Sequence, residues 1–155
     1  MSAAALFVTW AALEVAESKF EPVMVVPDAV DIEQRLRWYQ VPFDSTFVTS
    51  VDEARRARRD LGRFVRAEMK RSDARRTEHL RQILRKEHAY VWHCAGFERK
   101  GSRFLHCSFV RHHDGYDFLG QPRFPVIFDG GTDVSQCNFS LEAGQIVLIG
   151  WNGEA

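Results

Sequence analysis

The first fifty residues show an apolar pattern that changes twice. A helix is predicted over residues 6–20, where four apolar side chains recur at roughly helical spacing: Leu6, Trp10, Leu13 and Phe20. Pro22 and Pro27 then bracket the apolar run 23–26, which is predicted to be short and extended because proline disfavours helix in the preceding residue. Asp28 and Asp31 can cap a second short helix ending near residue 38 or 39. Pro42 and the polar residues after it predict a loop.

A long amphipathic helix is predicted over about 51–88. Ser50 and Glu53 have the spacing of a capping box, in which each side chain accepts a hydrogen bond from the other residue's backbone N–H. Apolar residues then follow helical spacing up to Met69 and again from Leu80. The polar stretch between them leaves two alternatives, one continuous helix or two helices that break near residue 72, with Asp73 as the second cap.

The apolar period changes to two residues from position 89 onward, which predicts an antiparallel sheet of about five strands. The expected strands are 89–97, 102–111, 125–129, 134–141 and 145–151. Gly101 supplies the left-handed residue that the first hairpin loop, 98–101, requires. The order of elements predicts an α+β fold, with N-terminal helices packed on a C-terminal antiparallel sheet. The 155 residues fit one domain, with regions 1–50, 51–88 and 89–155.

Composition and charge exclude few classes of protein. The 21 basic residues balance the 21 acidic ones, which argues against binding nucleic acid or a membrane surface with the whole chain. Residues 51–88 are different, because they carry 13 basic and 7 acidic residues, a local balance of +6. Residues 1–13 are too short to span a bilayer and lack a basic flank. An odd number of cysteines, three, favours free thiols and a reducing compartment, so a cytoplasmic location is expected. A leader peptide upstream of Met1 would change that expectation.

The C-terminal half carries short motifs that together resemble a known pattern. An aromatic strand at Tyr90–Trp92 is followed by Gly101 and a strand at 104–110, and later by Asp129-Gly130-Gly131 and a terminal Asn152-Gly153-Glu154-Ala155. From about Leu80 to Ala155 the chain resembles a loose group of uncharacterised small bacterial proteins, some of them lipoprotein-like. That group ends in the same Asp-Gly-Gly, strand, turn, strand, Asn-Gly-x-Ala order. The resemblance implies no established activity.

The dipeptide His-Cys occurs once on each strand of the first hairpin, as His93-Cys94 and His106-Cys107. A four-residue loop would place His93 opposite His106 and the two cysteines on the core face. A three-residue loop would place His93 opposite Cys107. The first register separates apolar from polar residues better and is preferred. His93 and His106 are therefore candidate zinc ligands, with a third ligand required from Cys137, His112 or His113. The alternative is two small core cysteines and two ordinary cross-strand histidines.

Two further groups of residues are candidates for catalysis or cation binding. Cys137 could act as a nucleophile with His112 or His113 as base, but no catalytic signature surrounds it. Asp129-Gly130-Gly131 with Asp133 could bind a cation, but the spacing lacks the alternating acidic ligands of a calcium loop, and paired glycines are typical of a sharp turn.

A basic stripe is predicted on the long helix, because five cationic residues recur at spacings of three and four: Arg55, Arg59, Arg63, Arg66 and Lys70. Like charges on one helix face repel, so this face requires water, phosphates or an acidic partner. Aromatic residues do not interleave with the stripe, which argues against nucleic acid. The stripe is thus either a solvated face or a binding surface for another protein that is acidic at its contact.

These observations favour a small non-enzymatic protein–protein interaction module, such as an inhibitor or an immunity-type protein. A metal- or thiol-dependent enzyme using the His/Cys hairpin is the first alternative. A nucleic-acid-associated protein using the basic helix is the second. No cofactor is expected unless the histidine pair holds zinc, and no membrane partner is expected.

Overall fold

The computed structural model describes residues 22–113, 117–127 and 130–152. This part of the chain forms three helices, α1 (Ala29–Trp38), α2 (Val51–Met69) and α3 (Ala74–Arg85). Its six strands are β1 (Val23–Val25), β2 (Ser45–Phe47), β3 (Tyr90–Arg99), β4 (Ser102–Arg111), β5 (Val134–Ser140) and β6 (Gln145–Trp151). The predicted α+β class is confirmed, and the helix predicted over residues 6–20 lies outside the described residues.

Side-chain caps fix where the helices begin. Asp28 precedes α1 and accepts hydrogen bonds from the backbone N–H groups of Val30 and Asp31. Ser50 and Glu53 form the predicted capping box, with distances of 3.1 and 3.0 Å. These side-chain oxygens satisfy N–H groups that have no partner within the helix, so each start is defined by the sequence itself.

The long basic segment is divided into two helices, as one of the two alternatives predicted. Helix α2 ends at Met69, and Asp73 caps α3 by accepting a hydrogen bond of 2.8 Å from the backbone N–H of Arg76. The polar residues between the helices have no apolar face to bury. The break redirects α3, so that Leu80 and Ile83 reach the same core as α2.

The sheet has the strand order β1-β3-β4-β5-β6, and β2 pairs with another part of β3. All pairs are antiparallel except β1 with β3, which is parallel. The strand predicted at 125–129 does not form over residues 125–127, and residues 128 and 129 lie outside the described residues. The carbonyl groups of Pro125 and Ile127 instead accept hydrogen bonds from the side chains of Arg35 and Asn152. Strand β2 falls in the segment that was predicted to be a loop.

The register of the β3–β4 hairpin differs from both predicted registers. Arg99 pairs with Ser102, which leaves a two-residue loop, Lys100 and Gly101. His93 therefore lies opposite Ser108, and His106 lies opposite Ala95. The shift from the preferred register is two residues along the ladder, and a shift of two preserves which side chains share a face. The predicted core face is thus correct, whereas the predicted contact of His93 with His106 becomes a diagonal one.

The two faces of the sheet bury different material. The core face carries Trp92, Leu105 and Phe109, and helices α2 and α3 pack on it. The opposite face, called the second face below, carries the side chains His93, Ala95, His106, Ser108, Gln136 and Asn138. Helix α1 covers part of the second face through Ile32 and Leu36. The second face therefore combines a small apolar core with a row of polar side chains.

The three cysteines lie side by side on the core face, and two of them are bonded. Cys94 pairs with Cys107 across β3 and β4, and Cys107 pairs with Cys137 across β4 and β5. Cys94 and Cys107 form a disulfide with a Cα–Cα distance of 4.1 Å, and Cys137 is buried and free. The prediction of three free thiols is therefore wrong. An odd cysteine count requires one unpaired thiol and does not prevent the other two from pairing, so it gives no support for a reducing compartment.

Alkylation of the unfolded chain tests this pairing. In guanidinium without reductant, iodoacetamide should modify one cysteine per chain, since only Cys137 has a free thiol, and after reduction it should modify three. Intact-mass measurement counts the adducts, and Cys137→Ser should reduce the non-reducing count to zero. Three adducts without reductant would show that Cys94 and Cys107 are not bonded.

Candidate functional site

A cleft with a volume of about 620 Å³ lies beside α2. Five arginines of this helix line it: Arg55, Arg58, Arg59, Arg63 and Arg66. Pro22 and Val23 at the start of β1 form one margin, and Glu87 and His88 form another. We call this site the arginine cleft. It exists because α2 buries Ala54, Ala57, Leu61 and Val65 on the sheet, which turns the intervening arginines outward.

Gly62 lies in the arginine cleft and determines how closely its neighbours approach α2. A side chain at this position would place Cβ 2.9 Å from Nη2 of Arg66 and 3.1 Å from Oε2 of Glu87. The first distance is shorter than real Cβ contacts and the second is tighter than most of them, so the ends of these two flexible side chains would have to shift. The missing side chain therefore lets one guanidinium group and one carboxylate lie directly against the helix.

The arginines of the cleft are unequally compensated. Arg63 is held by Asp60, with 2.6 Å between Nε and Oδ1, and Arg55 lies 3.4 Å from Asp52. Among the described residues, no carboxylate forms an ion pair with Arg58, Arg59 or Arg66. Among the described residues that line the cleft, Glu87 is the single acidic one, and its carboxylate lies 3.4 Å from the ring of His88. The described part of the cleft therefore carries uncompensated positive charge.

The sequence identified most of this surface. Four of the five stripe residues line the cleft, whereas Lys70 follows the last residue of α2 and does not. Arg58 was missed, although it lies three residues after Arg55 and four before Gly62, which places it on the same helix face. Including Gly62 among the positions of that helix face would have identified Arg58.

The two candidate zinc ligands lie on the second face, each fully buried and each with one ring nitrogen already used. His93 Nε2 lies 2.9 Å from the carbonyl oxygen of Leu119, and His106 Nδ1 lies 2.8 Å from Oδ1 of Asn138. Since both partners are acceptors, both of these nitrogens carry a proton and donate. Burial lowers the pKa of each ring to about 4, so both are neutral at pH 7.

The three residues proposed to complete a zinc site lie elsewhere. Cys137 is on the core face, and His112 and His113 follow the end of β4, where His113 lies 3.6 Å from Asp133. Within the described ranges, no group of three or more His, Cys, Asp and Glu side chains could hold a metal ion. The zinc hypothesis for His93 and His106 stays a prediction with no third ligand of these types in that part of the chain.

The other candidate groups have structural partners. Burial raises the pKa of the Cys137 thiol, which opposes formation of the thiolate that a nucleophile requires. Asp133 contacts Lys86 at 2.5 Å and Arg111 at 3.9 Å. Burial opposes ionisation of Asp133, but the hydrogen bond and charge of Lys86 outweigh it and lower its pKa. Asp133 is therefore occupied by cationic side chains, and Asp129 lies outside the described residues.

No family model matches the chain, and neither a curated protein nor a solved structure matches it. No helix in the described residues is long and apolar enough to cross a membrane.

Because the two histidines are buried and neutral, we expect the free energy of unfolding to fall between pH 7 and pH 5. The unfolded chain binds these protons near pH 6.5, whereas the folded rings stay neutral until about pH 4, so their contribution is present above 6.5 and is lost as the pH falls. Each histidine should lower the free energy of unfolding by about 2 kcal/mol over that interval.

Urea unfolding at both pH values measures this effect. His106→Gln should remove about half of the pH dependence. His88→Gln is the matched control, because the side chain of His88 is 90% exposed, and it should keep the dependence of the unsubstituted protein. An unchanged pH dependence in His106→Gln would contradict the assignment of a neutral buried ring.

Proposed function

We propose that this protein is a non-enzymatic interaction module that binds an acidic segment of another protein in the arginine cleft. The observation that carries the proposal is the set of five arginines lining one cleft with a single acidic residue among its described lining. Arginine suits this role because its planar guanidinium group binds carboxylates with two parallel hydrogen bonds.

The length of the arginine row matches a short peptide segment. All five arginines come from α2, between residues 55 and 66, which corresponds to a length of about 17 Å at 1.5 Å per residue. That length suits a short run of acidic residues. The apolar margin formed by Pro22 and Val23 offers a surface for a side chain next to the carboxylates.

The ion pairs of the cleft make Arg59 a better position for charge reversal than Arg63. Arg63 is a poor choice for reversal, because its partner Asp60 also accepts a 2.7 Å hydrogen bond from the backbone N–H of Ile146 and so anchors β6 to α2. Arg59 is exposed and has no ion pair with a described residue. Arg75 on α3 is also exposed, has no such pair and does not line the cleft, which makes it a matched control.

Fluorescence anisotropy with a labelled ten-residue glutamate peptide tests the proposal. Arg59→Glu should weaken binding about tenfold, because it replaces an attraction in the cleft by a repulsion, whereas Arg75→Glu should bind like the unsubstituted protein. Binding should also weaken as salt is raised, because the charges are partly exposed to solvent. Circular dichroism checks that both variants fold.

Two results would contradict the proposal. Equal losses of affinity in Arg59→Glu and Arg75→Glu would show that the peptide responds only to the overall charge of the protein. Tighter binding of a labelled DNA duplex than of the glutamate peptide, with the same dependence on Arg59, would indicate a nucleic-acid partner instead.

A further inference from the structure

A second concave surface lies on the second face, away from α2. Two adjoining pockets of about 200 and 270 Å³ share Tyr39, Val41, Asn138 and Leu148 and so form one continuous groove. We call it the second-face groove. Its floor is strands β3 to β5, and one wall is the segment that follows α1.

The wall is positioned by the end of α1. The backbone N–H of Val41 donates to the carbonyl group of Leu36, and that of Gln40 donates to Arg37, which is a Schellman ending of the helix. Gln40 has a φ of 53°, the left-handed conformation that this ending requires. The turn brings Tyr39 and Val41 to the edge of the groove.

The polar end of the groove contains buried atoms without partners. Within the described ranges, five buried side-chain nitrogen or oxygen atoms lack a hydrogen-bond partner, and four of them lie on the second face: His93 Nδ1, His106 Nε2, Ser108 Oγ and Gln136 Oε1. His106 and Gln136 line the groove. Leaving such groups unpaired costs about 1–3 kcal/mol each, so a cluster of them points to a ligand that satisfies them.

Both of these atoms accept hydrogen bonds. His106 donates through Nδ1 to Asn138, so its Nε2 carries a lone pair, and Oε1 of Gln136 is an amide oxygen. A ligand group at this end must therefore donate a hydrogen bond. A carboxylate would bring oxygen lone pairs against the same two acceptors.

A cationic donor is disfavoured by Arg35. Its guanidinium group lies 5.6 Å from the ring centroid of Tyr39 and 5.0 Å from that of Phe124, the two rings that flank His106. The positive charge of Arg35 also acts on the His106 ring. A second cation beside it would be repelled, so the donor that fits is neutral.

Beyond His106 and Gln136 the lining of the groove is mostly apolar, and Gln40, Arg99 and Asn138 are its other polar residues. Phe97 and Phe104 stack at 5.3 Å on the floor, and Val147 and Leu148 form the opposite wall. Val147 is the extra residue of a bulge in β6, and it and Leu148 are 48% and 57% exposed. An apolar pocket with a few convergent polar atoms is the usual form of a small-molecule site.

We propose that the second-face groove binds a small neutral amphipathic alcohol or phenol, with its hydroxyl group donating to His106 or Gln136 and its apolar body against Phe97, Phe104 and Leu148. This site is separate from the arginine cleft, because the cleft lies beside a helix packed on the core face. Binding in the groove does not depend on the acidic partner.

Two probes that share a propylbenzene body test the proposal. 4-Propylphenol carries a hydroxyl donor, and 4-propylanisole replaces it by a methyl ether that only accepts. Titrations of the full chain followed by amide NMR should give saturable shifts near Val41 and Leu148 with the phenol. The anisole should bind about tenfold more weakly, because it cannot donate the one hydrogen bond that the phenol gives to His106 or Gln136.

Variants locate the site. Leu148→Glu should weaken 4-propylphenol binding about tenfold by placing a charge on the apolar wall, whereas Val48→Glu, at a residue 61% exposed outside the groove, should not. Gln136→Leu should reduce the preference for the phenol over the anisole, and it keeps the test informative if substitution of buried His106 prevents folding. Equal binding of the two probes, absence of saturable shifts, or unchanged binding in Leu148→Glu would overturn the proposal.

Discussion

Lys100 and Gly101 both have positive φ angles, 50° and 78°, and this left-handed pair joins β3 to β4 with a loop of two residues. Two left-handed residues produce a turn whose twist matches that of the flanking strands, so the hairpin can stay paired along its whole length. The resulting register places Cys94 opposite Cys107 on the core face. A slip of one residue would move the side chains of one strand to the opposite face relative to those of the other strand. Strands β5 and β6 follow β4 in the sheet, so their positions relative to β1, β2 and β3 depend on this register.

Helix α2 follows from the core face that this register creates. Ala54, Ala57 and Leu61 are small or medium apolar residues that bring the helix close to the sheet. Because this face is buried, the arginines on the other faces of the helix point to water. Like charges spaced three and four residues apart destabilise a helix by a few tenths of a kcal/mol per pair. The capping box, the acidic residues of its first turn and the burial of its apolar face offset that cost. A helix that keeps such repulsion on one face, next to a cleft, is consistent with a binding surface.

The parts that the sequence predicted well are those decided by neighbouring residues. Asp73 as a helix cap and the separation of core from polar positions in β3 and β4 follow from local spacing, and both are found. The hairpin register was missed because position 100 holds Lys, not the Asn or Asp that usually identifies a two-residue turn. The disulfide was missed because the odd number of cysteines favoured free thiols. Strand β2 and the second-face groove depend on pairing between segments that are far apart in sequence. Gly96, for instance, gives no hint that the Phe47 ring packs against it.

The proposed binding surface consists of the arginines without described ion-pair partners. Side-chain NMR of the arginine Nε–Hε groups, recorded while the ten-residue glutamate peptide is added, observes these groups directly. We expect saturable shifts at Arg58, Arg59 and Arg66 and no shift at Arg75, which lies outside the cleft. Shifts of equal size at Arg75, or none at Arg58, Arg59 and Arg66, would contradict it.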